Sequence, residues 1–188
     1  MKAFYDDNMK RRKPEPEDRT RDALLMGDYW VLRREYTGVT QYRFCHRGQR
    51  FGTGAAHIMP GFPTVLHCGG LVLNSKFDPG RTVVPGVSRE IVDADNATAV
   101  AARLTWLGDS RYELVMNWDM GTVVLEIRSA GDMHEFYRDG KRIATVCELP
   151  DPRHLPDWEV NFCMRTWEAL SNETAMLLMS FPLLRFTL

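Results

Sequence analysis

Five arginines, Arg33, Arg34, Arg43, Arg47 and Arg50, fall within residues 29–50, and Glu35 is the only acidic side chain among them. A guanidinium donates two parallel hydrogen bonds from a planar fork, so such a cluster suits a phosphate or carboxylate ligand. A lipid headgroup, a nucleotide or a phosphoprotein would present that chemistry. The plainer reading is a solvated strand face with cross-strand partners. Residues 88–126 lean acidic, and over all 188 residues 24 Lys+Arg stand against 25 Asp+Glu, a formal charge of −1. The asymmetry is therefore local, which argues against a general or specific nucleic-acid binder.

Cys45-His46 and His67-Cys68 together have the composition of a structural zinc site. On strands, however, adjacent side chains point to opposite faces, so each pair could supply only one ligand. We read them as structural residues and expect no metal. Cys45, Cys68, Cys147 and Cys163 are widely spaced, and the N-terminus lacks the apolar stretch of a secretory signal. Free thiols in a cytoplasmic protein are expected. His57, His67, His134 and His154 are scattered singly and are expected to be surface or hydrogen-bonded structural histidines. Asp93 and Asp95 precede Asn96 in a turn, where side chains bond the local backbone, rather than forming a calcium cage. G-x-S-x-G, H-E-x-x-H, P-loop and dinucleotide-binding signatures are all missing, and Gly52-Thr53-Gly54 lacks the rest of a phosphate cradle. No catalytic residue and no cofactor are expected.

Residues 10–22 are almost entirely charged and carry Pro14 and Pro16, so residues 1–26 are read as a flexible leader. Residues 27–188 are long enough for one well-buried domain. Within it, short apolar runs alternate with turns. Residues 29–36 and 41–47 flank Thr37-Gly38-Val39-Thr40; residues 62–68 and 71–73 flank Gly69-Gly70. Residues 133–138 and 141–147 are joined by Asp139-Gly140, a pair suited to the positive φ angles of a type I′ turn. Pro150, Pro152 and Pro156 mark a loop. After it, Trp158, Val160, Phe162 and Met164 alternate with Glu159, Asn161, Cys163 and Arg165, the pattern of a strand with one buried face. Ten to twelve strands at this spacing leave no room for crossover helices, so the sheet is expected to be antiparallel and closed.

The last element differs. Ser171 or Asn172 can cap a helix over about 172–181, ahead of Pro182, and that helix is apolar almost all the way round. Fourteen residues from Ala175 reach only about 21 Å at 1.5 Å per residue, short of a bilayer's roughly 30 Å core. Arg185 also opposes insertion, so no transmembrane span is expected. A wide barrel needs filling, and enclosure of this helix by the sheet is the expectation.

The order of elements, with Arg111-Tyr112-Glu113-Leu114-Val115, the hairpin over residues 135–146 and Asp157-Trp158-Glu159-Val160 ahead of the helix, resembles the tubby C-terminal fold. The likeness is to its LURP-one-related branch, over roughly residues 86–188. The resemblance implies a twelve-stranded closed barrel around a central hydrophobic helix, in a group whose members are mostly not enzymes. Some tubby proteins bind phosphoinositides through basic surface residues, and the related scramblases act at membranes. The acylated cysteine cluster and calcium-binding segment of scramblases have no counterpart here, which points away from that role.

The functional expectation is a non-catalytic barrel, cytoplasmic and peripheral to the membrane, that binds an anionic phospholipid or a protein partner, with Arg33, Arg34, Arg43, Arg47 and Arg50 as its anion-binding residues. The competing expectation is a small-molecule-binding barrel or barrel enzyme in which the C-terminal segment covers a pocket.

Overall fold

The computed structural model describes residues 29–184, apart from 37, 58–63, 70, 76–83, 95–99, 119–120 and 156–157. The expected leader over residues 1–26 lies outside the described residues, as do Asp95 and Asn96. Twelve strands run in chain order: β1 (Tyr29–Tyr36), β2 (Val39–His46), β3 (Gln49–His57), β4 (Thr64–Cys68), β5 (Leu71–Ser75) and β6 (Ser88–Asp93) in the first half, then β7 (Val100–Gly108), β8 (Arg111–Trp118), β9 (Gly121–Ala130), β10 (Met133–Arg138), β11 (Lys141–Leu155) and β12 (Trp158–Thr166). Each pairs antiparallel with its sequence neighbour, and β1 pairs with β12, so the sheet is a closed barrel. One helix follows, α1 (Asn172–Leu184).

The turns follow from local chemistry. Asp139 and Gly140 take φ of 51° and 75°, the two positive values that the Asp-Gly pair favours. Arg47 and Gly48 (48° and 79°) make the same kind of tight link between β2 and β3. Glycine tolerates such angles without steric penalty, and short polar residues tolerate them better than branched ones.

Three elements depart from the sequence reading. β3 runs through Gly52-Thr53-Gly54, which had no strand signal because its inward positions carry no side chain. A Cβ on Gly52 would sit 2.9 Å from the His67 carbonyl oxygen and 3.4 Å from Met176 Sδ, so glycine is what lets β3 lie this close to β4 beneath the helix. β11 continues through the prolines to Leu155, with its register to β12 breaking between Glu148 and Arg153. Pro150 and Pro152 fall within that break in register, where a residue without an N–H is best tolerated. On β12, both neighbours skip Asn161: Val31 opposes Phe162 while Leu32 opposes Val160. That bulge breaks the expected alternation, so Phe162 and Met164 join the inner core whereas Val160 and Cys163 pack on the outer side.

Ser171 caps α1. Its Oγ accepts from the Thr174 N–H at 3.2 Å, and its carbonyl accepts from the Ala175 N–H at 2.9 Å. The helix passes the expected end at residue 181 and reaches Leu184 with Pro182 inside its last turn. Proline there removes only the bond that would reach the Leu178 carbonyl, and Leu184 is itself buried. Residues 175–181 are all at most 1% exposed. They form one core with Val31, Phe44, Leu73, Leu104, Ile127 and their counterparts on other strands. Phe181 meets Tyr112, His134 and Phe136 edge-on at 5.0–5.8 Å, geometry that adds to area burial. Among the described residues no helix is long and apolar enough to cross a membrane.

Candidate functional site

Register places the five arginines. Tyr42 and Phe44 belong to the inner core, so Arg43 and Cys45 between and beside them face outward. β1 pairs with β2 without interruption: Leu32 opposes Arg43, Arg34 opposes Gln41 and Arg33 opposes Tyr42. Arg34 thus joins Arg43 outside as a diagonal neighbour, at about 7–8 Å between backbones. Arg50, opposite Cys45, shares that outer face. Arg33 lies on the other side of the sheet with Tyr42 and pairs with Glu35. Arg47 occupies the exposed β2–β3 turn. The structure therefore brings together Arg34, Arg43 and Arg50 and leaves Arg33 and Arg47 apart from them.

Arg43 is held in place. Its guanidinium lies 4.0 Å from the centroid of the Trp158 ring on β12, a cation–π contact that keeps the charge flat against the outer face. Trp158 escaped the sequence reading as a partner because only the β1–β12 seam brings it beside β2. Inward of these residues, Tyr42 has its hydroxyl pKa raised, chiefly by burial, with Arg33 opposing the shift.

A second outer cluster lies across the seam. Met133, Cys147, Cys163, Trp30 and Cys45 are successive direct partners on β10, β11, β12, β1 and β2. With Leu32, Leu149 and Val160 they form a compact apolar layer on the outside of the barrel. Cys45 belongs to this layer whereas Cys68 belongs to the inner core, on the opposite side of the sheet. His46 stacks on Tyr29 at 4.1 Å and His67 is exposed. The two Cys-His pairs are thereby separated, and the described residues include no group of three or more His, Cys, Asp or Glu side chains placed to hold a metal. Burial, reinforced by Glu173, pushes the Cys68 thiol up to about 11, and burial likewise raises that of Cys45. Both are poor nucleophiles near neutral pH.

Inside the barrel, one polar chain links three strands. His134 is fully buried, with Nδ1 3.0 Å from Ser129 Oγ and Nε2 2.8 Å from Glu148 Oε1. The order serine, imidazole, carboxylate is that of a nucleophile with its base. Here the Ser129 amide already donates to the Ser110 carbonyl at 2.8 Å, so it is not free to hold an oxyanion. What the arrangement does is satisfy both nitrogens of a buried ring that packs on Phe181. Sequence spacing does not reveal it, because the three partners come from three strands and meet only through register.

A cavity of about 120 Å³ lies where the chain enters α1, between the Arg138–Glu168 ion pair (2.6 Å), Ser171 and Thr174 on one side and Met116 and Leu125 on the other. Pockets for small organic ligands are typically about 300–1,000 Å³, so this one suits a few waters. Comparison of the chain with family models, with curated proteins and with solved structures returns no match.

Proposed function

We propose that this protein is a non-catalytic barrel of the tubby-like, LURP-one-related kind, whose lumen is filled by its own C-terminal helix and whose outer surface binds anionic lipid headgroups from the cytoplasmic side. One observation carries the reading: residues 175–181 are buried on every face of the helix. A surface helix would keep a polar stripe and a lid would keep one wet side. Helix α1 has neither over those two turns. With the interior so occupied, recognition belongs to the outside, where Arg34, Arg43 and Arg50 share one face and Trp158 holds Arg43 against it. Three arginines near an anionic surface contribute about 1 kcal/mol each, enough for reversible, salt-sensitive attachment.

Co-sedimentation with phosphatidylcholine vesicles containing phosphatidylserine or a phosphoinositide tests it. Retention is expected at low salt, falling steeply by physiological salt, and lost in the Arg34→Glu, Arg43→Glu, Arg50→Glu triple variant. Retention that ignores salt, or none at low salt, would overturn the lipid reading.

A further inference from the structure

On the outer face of β8 to β12, direct cross-strand partners line up as Arg111, Arg128, Glu135, Thr145 and Arg165. Most of the charge in this row is already committed. Arg128 bonds Glu126 at 2.8 Å and lies 4.4 Å from the centroid of the Tyr137 ring. Glu135 accepts from Arg142 at 2.5 Å through Oε1 and from the Tyr137 hydroxyl at 2.8 Å through Oε2, so each of its oxygens already has a donor other than Arg165. Arg165 has no carboxylate within ion-pair distance among the described residues; what it meets is the Trp167 ring, 5.8 Å away. Arg142 approaches the same ring at 4.4 Å, and the indole is 41% exposed.

Between Glu135 and Arg165 stands Thr145. It is only 6% exposed although it points to the outside, and its Oγ1 has no hydrogen-bond partner. A buried hydroxyl with no partner in the protein is rare, and what completes it is a water, an ion or a ligand. Beside a guanidinium lacking a counter-charge, the partner that suits both groups is an anionic acceptor, to which the hydroxyl can donate. A tetrahedral dianion meets both demands: its several oxygens can accept from a hydroxyl and from two guanidiniums at once, which a single carboxylate does less well.

We propose that Arg165, Arg142 and the Thr145 hydroxyl form a site for the phosphate group of a soluble phosphate monoester, with the exposed Trp167 as its wall. The site lies on β11, β12 and the segment after β12, on strands other than those carrying Arg34, Arg43 and Arg50, and it stands independently of the lipid reading.

Titration of the intact protein with inorganic phosphate and with phenyl phosphate, at fixed low ionic strength and against matched chloride, tests it by calorimetry and by tryptophan emission. Saturable binding is expected, with an emission change that disappears in Trp167→Phe. Affinity should fall about tenfold or more in Arg165→Gln and in Thr145→Val, an isosteric change that leaves the fold intact, since charge-assisted bonds of this kind are individually strong. The Arg34→Glu, Arg43→Glu variant should bind phosphate as the wild type does. Equal affinity in wild type, Arg165→Gln and Thr145→Val would overturn the proposal, as would a response to phosphate no larger than that to chloride. Retention on phosphoinositide vesicles that depends on Arg165, with no binding of either soluble phosphate, would also overturn it, by assigning the site to a membrane-borne group.

Discussion

Gly52 occupies a point where the sheet has no room for a side chain. The nearest obstacle to an added Cβ is a backbone oxygen of β4, His67 O at 2.9 Å, which cannot swing away as a flexible side chain would. Gly52→Ala is therefore expected to cost about 1–3 kcal/mol in overpacking, seen as a lower urea midpoint with an unchanged slope; an unaltered midpoint would show that β3 and β4 can separate at no cost. The pair Gly52 and Gly54 illustrates how residue roles escape a linear reading. Two glycines around a threonine resemble part of a phosphate loop, but their meaning is set by Phe44 and Leu66 on the flanking strands and by Met176 on the helix. The arginines show the converse. Their number and charge imbalance are visible in the sequence, whereas their division into an outer group of Arg34, Arg43 and Arg50, an Arg33 on the other side of the sheet and an Arg47 in a turn depends on which side each strand presents to the core.

At the scale of elements, α1 hangs on its first turn. Ser171 supplies both a side-chain acceptor for the Thr174 amide and the first intrahelical carbonyl. Ser171→Ala should lower stability by about 1 kcal/mol, and Ser171→Asp, which can still accept that bond and adds charge at the positive end of the helix dipole, should restore it. Chemical denaturation of the three forms checks the order. This cap was legible in the sequence, as was the Asp139-Gly140 turn, because each is decided within a few residues. Of the strands that misled, β3 carries glycine at inward positions, whereas β11 and β12 face each other across a break in register. Asn161 shifts β12 by one position, so a seemingly perfect alternation from Trp158 to Met164 splits between the two sides of the sheet. Nothing local distinguishes such a bulged strand from a regular one; the demand comes from the β1–β12 seam and from the outer apolar layer that Val160 and Cys163 complete.

For the molecule as a whole, closure gives each of the twelve described strands a partner on both sides, and most of the large buried side chains belong to a single core that includes the helix. Loosening any strand therefore exposes that shared core. Unfolding in urea should be one transition, with tryptophan emission and far-ultraviolet circular dichroism coincident. Separated curves would mean that part of the barrel melts alone. The pairing of β1 with β12 has a further consequence, for synthesis. Tyr29 and its neighbours leave the ribosome early, yet the partners that complete their hydrogen bonds, Glu159 to Met164, are among the last residues of the sheet to be made. Throughout that interval β1 has a bare flank able to capture the identical strand of a nascent chain on the next ribosome of the same message. Translation speed and ribosome spacing would then govern how much of the product is a closed monomer and how much is paired through the wrong seam.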